Sequence, residues 1–314
     1  MHRSRRDYRP LHWSNYFDRY VDVRTSDTET FRVYVSNLEA APEIIDNDEY
    51  QFNEPSRPTV VFLHGGGYSG LTWALLVKEL KNHCDCGLLA IDLRGHGCTQ
   101  TSDESNLSMD TMVDDVERVI TCFHEQLGYN SEDCLRPMPN IVLVGHSMGG
   151  AVAVKCAANV SETYLPSLLG FVVIDVVEGT AIDALQGMQS VLRARPRHFT
   201  SLENAIEWSV RSGMTRNNEA ARVSMPDLMK TQTHWNGWFK GLSNDLLNAP
   251  VRAKLLLLAG IDRLDKDLTI GQMQGKFMMR VLPKCGHAVH EDVPEQVSEV
   301  IAKFLVRNKI VEKR

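Results

Sequence analysis

The stretch from Asn140 to Ala151 limits the fold of this chain more than any other part of its sequence. Its first residues are apolar and mostly β-branched, which predicts a buried strand. Residues 145–149 then match G-x-S-x-G, and residues 151–158 predict a helix directly afterwards. Glycines flank Ser147 because no Cβ can be tolerated in such a strained turn. We expect the turn to present Ser147 Oγ as a nucleophile; a helix N-cap serine would explain the serine but not both glycines.

Alternating apolar strands and helices on both sides of this turn predict an α/β fold. We expect a mostly parallel eight-stranded sheet covered by helices on both faces. The predicted strands are 20–24, 30–36, 59–64, 87–92, 140–145, 168–175, 253–259 and 276–282, the first two antiparallel, and the predicted helices are 71–82, 108–127, 151–158 and 293–306. The pattern breaks between about residues 176 and 250, where several short helices predict a lid inserted after the sixth strand. The chain is thus interpreted as a single domain over 1–314, with its core at 19–175 and 251–308.

Composition and charge exclude some classes of binding partner. The chain has 34 Lys and Arg against 40 Asp and Glu, a net charge of −6 with no basic stripe, which argues against nucleic acid as a partner. No apolar run approaches about 20 residues, and the charged start has no apolar stretch behind it, so we expect neither a membrane span nor a signal peptide. Seven cysteines are scattered through the chain, and the Cys84-Asp85-Cys86 pair lacks a second pair. Free thiols and a cytosolic or nuclear protein are expected.

A serine nucleophile needs a base within hydrogen-bond reach and an acid that orients the base. The predicted base is His287, which follows the last strand in a Gly286-His287 pair. His290 lies nearby, and we interpret it as a surface histidine at a helix entry. The two histidines lack further ligands at a suitable spacing, so no metal site is expected.

Two aspartates are candidates for the acid. Asp262 follows the seventh strand and Asp175 follows the sixth, and both lie at carboxyl ends of parallel strands, where ligands collect. Position alone favours Asp262. The other aspartate would then be structural.

An oxyanion hole needs two backbone N–H groups. The first should be that of Met148, directly after the nucleophile. The second should come from the glycine-rich loop after the third strand, where we predict Gly66 as the donor, with Gly65 and Gly67 shaping the loop around the substrate. Trp208 and the other tryptophans of the lid, Trp235 and Trp238, either line the substrate entry or form the core of the lid.

Two other classes of function compete with this interpretation. Residues 65–70 spell G-x-G-x-x-G between a strand and a helix, and Asp92 ends the next strand, as a dinucleotide-binding oxidoreductase would require. That motif would lie on the third strand rather than the first, and it leaves Ser147 and His287 unexplained. The second alternative, a catalytically silent binding module, is disfavoured because a nucleophile, a base and two acids are all present.

Several longer stretches resemble one family of the α/β-hydrolase superfamily, the protein phosphatase methylesterases. The matching stretches are residues 144–151, 166–170, 174–181, 201–210, 258–275 and 285–292. The resemblance implies the α/β-hydrolase fold. It also implies an esterase that removes the methyl group from the C-terminal leucine carboxylate of the protein phosphatase 2A catalytic subunit.

The same resemblance implies that the acid follows the sixth strand, which moves our assignment to Asp175. It further implies a phosphatase partner that helps to open or align the site. The expected acyl transfer requires no metal or organic cofactor. One departure is the short stretch between Ser224 and Trp235, where the family usually carries a longer loop. A hydrolase of small-molecule esters, or a catalytically silent phosphatase-binding module, remains the alternative.

Overall fold

The computed structural model describes residues 6–38, 57–129, 138–159, 167–179, 181–182, 196, 198–230, 239–260 and 264–312. Eight strands form one sheet in the order β1-β2-β4-β3-β5-β6-β7-β8. The strands are β1 (Arg19–Arg24), β2 (Thr30–Ser36), β3 (Thr59–Leu63), β4 (Gly87–Ile91), β5 (Ile141–His146), β6 (Leu168–Ile174), β7 (Ala253–Leu258) and β8 (Met278–Val281). β2 pairs antiparallel with β1 and β4, and the pairs from β4 to β8 are parallel.

Helices follow most of the strands. They are α1 (Ala74–Leu80), α2 (Met109–Gln126), α3 (Met148–Ala158), α4 (Leu202–Ser212), α5 (Asn218–Ser224), α6 (Leu242–Asn248), α7 (Lys266–Met273), α8 (Val289–Asp292) and α9 (Pro294–Arg307). Short 3₁₀ helices cover Trp13–Asn15, Gly70–Trp73 and Met225–Lys230. No helix in the described ranges is both long and apolar enough to cross a bilayer.

The predicted fold class is confirmed: the sheet is eight-stranded and mostly parallel. Two helix boundaries differ from the prediction. α3 begins at Met148, three residues earlier than its predicted start, because the helix continues directly out of the serine turn. The helix predicted from residue 71 opens as a 3₁₀ turn, where Ser69 accepts a hydrogen bond from the N–H of Leu71, and only then becomes α-helical.

The central strands are buried on both faces, which explains their nearly continuous apolar sequences. On one face, a core cluster joins α2, α3 and α6 to the sheet through residues such as Val116, Val152 and Leu246. On the other face, α1 and α9 pack through residues such as Leu76 and Phe304. Helices on both faces leave the strand ends, rather than the strand faces, available for a site.

Within its described residues, the segment between β6 and β7 forms helices and no strand. Residues 178–179 and 181–182 are helical, and α4, α5, a 3₁₀ helix and α6 follow. A third apolar cluster, the lid cluster, forms there from Ile206, Ala221, Met225 and their neighbours. It includes Tyr68 and Ala288 from the two loops beside the predicted site. The division into a core at 19–175 and 251–308 and a lid remains a prediction.

The turn between β5 and α3 is held by two very close backbone approaches. A Cβ on Gly145 would lie 2.2 Å from the carbonyl oxygen of Gly149, and a Cβ on Gly149 would lie 2.1 Å from that of Leu63. Neither obstacle is the end of a flexible side chain, so only the backbone itself could give way. Both glycines are therefore needed by the packing of the turn, as the sequence predicted.

Gly149→Ala should destabilise the fold by about 3 kcal/mol or more, since overpacking usually costs about 1–3 kcal/mol even where side chains can yield. The measurement is the midpoint of urea unfolding followed by tryptophan fluorescence. Gly179→Ala is the matched control, because its Cβ would lie 3.9 Å from Asp265 Cβ, which is an ordinary van der Waals contact. Equal midpoints for the two variants would contradict this account of the turn.

Candidate active site

Ser147 lies in the sharp turn between β5 and α3. Its backbone angles are φ 49° and ψ −115°, a conformation that non-glycine residues rarely adopt. The Ser147 N–H donates to the carbonyl of Ile174 at 3.0 Å, which fastens the turn to the end of the neighbouring strand β6. The hydroxyl group is thereby held beyond the carboxyl end of the sheet, at the beginning of α3.

Asp175 and His287 are brought together although 112 positions separate them in the chain. His287 Nδ1–H donates to Asp175 Oδ2 at 2.8 Å, and the N–H of Ala259 donates to Asp175 Oδ1 at 3.0 Å. The Asp175 side chain is fully buried, whereas that of His287 is 45% exposed. A buried carboxylate that accepts from one ring nitrogen fixes the tautomer and leaves Nε2 free to accept a proton.

The residue before Ser147 contacts the residue that carries the predicted base. The rings of His146 and His287 are 4.6 Å apart between centroids, and His146 Nε2 lies 2.9 Å from the carbonyl oxygen of His287. Ser147 and His287 therefore share one edge of the sheet. Within the described ranges Ser147 Oγ makes no hydrogen bond, and catalytic hydrogen bonds commonly tighten only when substrate binds.

The glycine-rich loop after β3 lies against the nucleophile. A Cβ on Gly65 would stand 3.3 Å from Ser147 Cβ. The N–H of Gly67, which has φ 73°, donates to His96 Nε2 at 3.0 Å and is thus already occupied. Among the residues that the structure describes, the N–H groups of Gly66 and Met148 have no protein acceptor. These are the two donors that the sequence predicted for an oxyanion hole.

Four buried histidines surround these loops. His64 Nδ1–H donates to the carbonyl of Gly65 at 2.8 Å, and the N–H of Leu93 donates to His64 Nε2 at 3.0 Å. Burial lowers the pKa of His64 and of His146 well below the usual value, that of His96 to about 4 and that of His290 to about 3. Near neutral pH these imidazoles are therefore uncharged.

The prediction for His290 is wrong. It lies in the short helix α8, near the predicted helix entry, but it is fully buried instead of exposed. Its ring stacks 4.2 Å from that of Trp73, and its Nε2 lies 2.9 Å from the hydroxyl of Thr72. Thr72 donates in turn to Glu291 at 2.7 Å, and burial raises the pKa of Glu291 to about 7.

Asp92 has a structural environment that does not suit a ribose ligand. The carboxylate is fully buried, and its two oxygens accept the N–H groups of Gly70 at 2.6 Å and of Cys98 at 2.8 Å. Asp92, Cys98 and Asp227 bring potential metal-ligand atoms within 4.8 Å of one another. The two backbone donors already occupy Asp92, so the carboxylate is explained by its role in bracing the loop before α1.

The remaining predicted residues are placed only in part. Asp262, Trp235 and Trp238 lie outside the described residues. Trp208 lies in α4, half-buried, with its ring 5.6 Å from that of Phe199 in the lid cluster. Its contacts there agree with packing in the lid, and its predicted role at the substrate entry stays a prediction.

Sequence reasoning missed Asp292. This side chain is 3% exposed, and its Oδ2 accepts the N–H of Gly286 at 2.6 Å. The predicted base is thus supported by an aspartate five residues further along the chain. An acidic residue soon after the Gly-His pair was the available signal, but only the fold shows that the chain turns back there.

The sheet, the serine turn and the aspartate–histidine pair define the class. The sequence profile of the Alpha/beta hydrolase family matches residues 60–300, so the chain is an α/β-hydrolase. Solved structures share this fold: an E-2-(acetamidomethylene)succinate hydrolase has a TM-score of 0.65 at 18% identity, over 92% of this chain and 98% of that one. An esterase of M. tuberculosis has a TM-score of 0.61 at 20% identity, over 92% of each chain.

Curated relatives narrow the class further. Protein phosphatase methylesterase 1 of Bos taurus is 42% identical over 98% of this chain and 89% of its own length. The protein of that name in Schizosaccharomyces pombe is 37% identical over 95% and 85%, and a probable one in Caenorhabditis elegans is 41% identical over 98% and 80%. The chain belongs to the protein phosphatase methylesterase family and is an ester hydrolase.

The alignments with these relatives differ in length. The bovine alignment extends over 368 residues, although this chain has 314, so the bovine protein carries segments that this chain lacks. The nematode alignment extends over only 324 residues. The aligned part of the nematode protein is therefore close to this chain in length.

Burial of neutral histidines predicts a loss of stability in acid. An unfolded histidine takes up a proton below about pH 6.5, whereas a buried one with a depressed pKa does not, so stability falls as the pH drops below that value. Asp92 and Glu291 act in the opposite sense, because burial raises the pKa of each to about 7. A single-histidine variant isolates the first effect.

His124 is suited to that test, since it is buried far along α2 and its pKa is lowered to about 4. His124→Gln should reduce the slope of unfolding free energy between pH 5 and pH 6 by about 1 kcal/mol per pH unit. Urea unfolding at several pH values provides the measurement, with exposed His12→Gln as the control. An unchanged slope would show that His124 also takes up its proton in the folded state.

Proposed function

We propose that this protein demethylates the C-terminal leucine methyl ester of the protein phosphatase 2A catalytic subunit, with Ser147, His287 and Asp175 as its catalytic triad. The family and the esterase class support the reaction type. The observation that carries the triad is the 2.8 Å hydrogen bond from His287 to buried Asp175, beside a serine held at positive φ.

The reaction proceeds in two steps. His287 Nε2 removes the Ser147 hydroxyl proton as Oγ attacks the ester carbonyl carbon, and the carbonyl oxygen becomes an oxyanion. The N–H groups of Met148 and Gly66 donate to that oxyanion, and loss of one such donor typically costs about 10²–10³ in rate. The tetrahedral intermediate collapses, the bond to the methoxy oxygen breaks, and the imidazolium of His287 protonates it, so that methanol leaves.

Water then attacks the acyl-enzyme. His287 takes a proton from the water and returns one to Ser147 Oγ, which releases the leucine carboxylate and restores the hydroxyl. Asp175 keeps Nδ1 protonated throughout and stabilises the imidazolium while it exists. Ser147, His287 and Asp175 complete this cycle of proton transfers without a cofactor.

Selectivity must come from outside the reacting group. A methyl ester presents little surface, so binding energy has to come from the peptide and from docking of the phosphatase. The lid cluster supports this view, because it contacts both catalytic loops through Tyr68 and Ala288. Trp208 in that cluster is the residue we propose to meet the substrate peptide. A cytosolic or nuclear location stays a prediction.

Ser147→Ala should abolish methanol release from the carboxymethylated phosphatase, with a loss of about 10⁴-fold or more because the covalent route disappears. Released methanol is measured under identical conditions for both proteins. Labelling with a fluorophosphonate serves as the control for the wild type. A wild type that releases no methanol but labels at Ser147 and cleaves small esters would favour the small-molecule esterase, and one that neither labels nor cleaves would favour the silent module.

Substitution of each candidate aspartate in turn tests which of the two is the catalytic acid. Asp175→Asn should lower kcat by about 10⁴-fold, since the amide favours the wrong tautomer of His287. Asp262→Asn should leave kcat within a few-fold of wild type. Both are compared by steady-state turnover of the same methylated substrate, with circular dichroism to check folding. Inactivity of Asp262→Asn alone would transfer the role to that residue.

A further inference from the structure

The loop that carries His287 is fastened on both sides of the imidazole. Before the ring, the N–H of Gly286 donates to Asp292 Oδ2 at 2.6 Å. At the residue itself, the carbonyl oxygen of His287 lies 2.9 Å from His146 Nε2. Both partners are buried side chains, so two adjacent backbone groups are held within the protein and not by water.

The bond to His146 can form in only one way. A carbonyl oxygen is an acceptor, so His146 Nε2 must carry the hydrogen and donate it. The opposite nitrogen, Nδ1, is buried and has no partner among the residues that the structure describes. It faces Gly65 so closely that a Cβ there would lie 2.7 Å away. His146 is therefore fixed as one neutral tautomer, wedged between the oxyanion loop and the loop of the base.

This contact lies between the reacting groups. His146 is the residue before Ser147, and it binds the main chain of the residue that bears the base. The His287 side chain is 45% exposed, and among the described residues its ring is hydrogen-bonded by Asp175 alone. Small shifts of the His287 backbone would move its Nε2 relative to Ser147 Oγ. A misplacement of about 1 Å can lower the rate about 10²-fold.

We propose that His146 is a positioning residue for the ester hydrolysis, which locks the backbone of His287 to the nucleophile turn through its Nε2–H. The proposal rests on the triad of the proposed function. Asp292 holds the loop from the other side, because it also accepts the backbone N–H of Arg216 at 2.7 Å. The guanidinium of Arg216 donates in turn to the carbonyl of Lys284 at 3.0 Å. The loop from Lys284 to His287 is thereby held between the nucleophile turn and the start of α5.

A purely structural role for His146 makes a different prediction. A buried histidine that only fills the core would lower stability when replaced, without changing the turnover of the folded protein. The glutamine side chain can place an amide N–H close to the position of Nε2–H, whereas leucine fills similar space without a donor. The pair His146→Gln and His146→Leu therefore separates the donor from the volume.

The experiment measures hydrolysis of p-nitrophenyl acetate, which needs no phosphatase, for wild type, His146→Leu, His146→Gln and Asp292→Asn. We expect kcat to fall about 10²-fold in His146→Leu with KM nearly unchanged, and to recover to within about tenfold in His146→Gln. Proton NMR should show the far-downfield Nδ1–H resonance of His287 weakened by leucine and retained by glutamine. His124→Leu is the matched control, since His124 is equally buried but distant from the site, and its kcat should stay near wild type.

Several outcomes would overturn the proposal. Wild-type kcat in folded His146→Leu would remove it, and so would equal losses in the leucine and glutamine variants. If His146→Leu does not fold, the comparison of His146→Gln with Asp292→Asn decides: an unaltered NMR signal and kcat in Asp292→Asn would contradict a backbone lock. Activity that survives Ser147→Ala would instead overturn the proposed triad, and this control is run in the same series.

Discussion

The close crossing of the serine turn over β3 is the constraint on which the rest of the site depends. The N–H of Gly149 donates to the carbonyl of His64 at 3.0 Å, and a Cβ on Gly149 would lie 2.1 Å from the carbonyl oxygen of Leu63. Only glycine, which has no Cβ, allows the two backbones to approach so closely. The approach joins the serine turn to the loop that holds Gly66, so the same backbone contact fixes the Ser147 hydroxyl and the proposed oxyanion donors.

Strain recurs in the other loops of the site. Ser147, Asp175 and Lys284 all have positive φ, at 49°, 53° and 77°, and each stands close after a strand or just before His287. Such residues cost about 1–3 kcal/mol each and persist where the surroundings over-determine them. The N–H of Asp175 donates to the carbonyl of Leu257 at 2.8 Å, as that of Ser147 does to Ile174. The ends of neighbouring strands thus hold Ser147 and Asp175, the proposed nucleophile and acid, in strained conformations.

Much of the fold followed from the sequence because apolar periodicity is a local signal. The strands and the long helices lie within a few residues of their predicted bounds, and the serine turn was marked by two glycines. The residues alone favoured Asp262 over Asp175 only by position, since both follow parallel strands and the strand pairing does not reveal which one reaches His287. Resemblance moved the assignment to Asp175, and the structure places Asp175 against His287.

His290 and Asp292 show where local reasoning ends. A histidine at the entry of a helix is usually exposed, but His290 of α8 lies against Thr72 and Trp73. No pattern in the sequence indicates that packing. Asp292 holds the N–H of Gly286 only because α8 turns back over the loop. Burial and long-range hydrogen bonds depend on the tertiary fold, so the residues that support a site are harder to predict than those that react.

The buried histidines are best understood through the chemistry of the neutral ring. Imidazole offers one donor and one acceptor on a rigid frame, without charge when its pKa is depressed. His64 uses both nitrogens on the backbone of the oxyanion loop and the turn after β4, and His96 does the same with Arg94 and Gly67. A charged side chain there would need a counter-ion in the core, and an apolar one would leave backbone groups unsatisfied. Neutral imidazoles meet both demands, and they leave Asp175 as the carboxylate that faces His287.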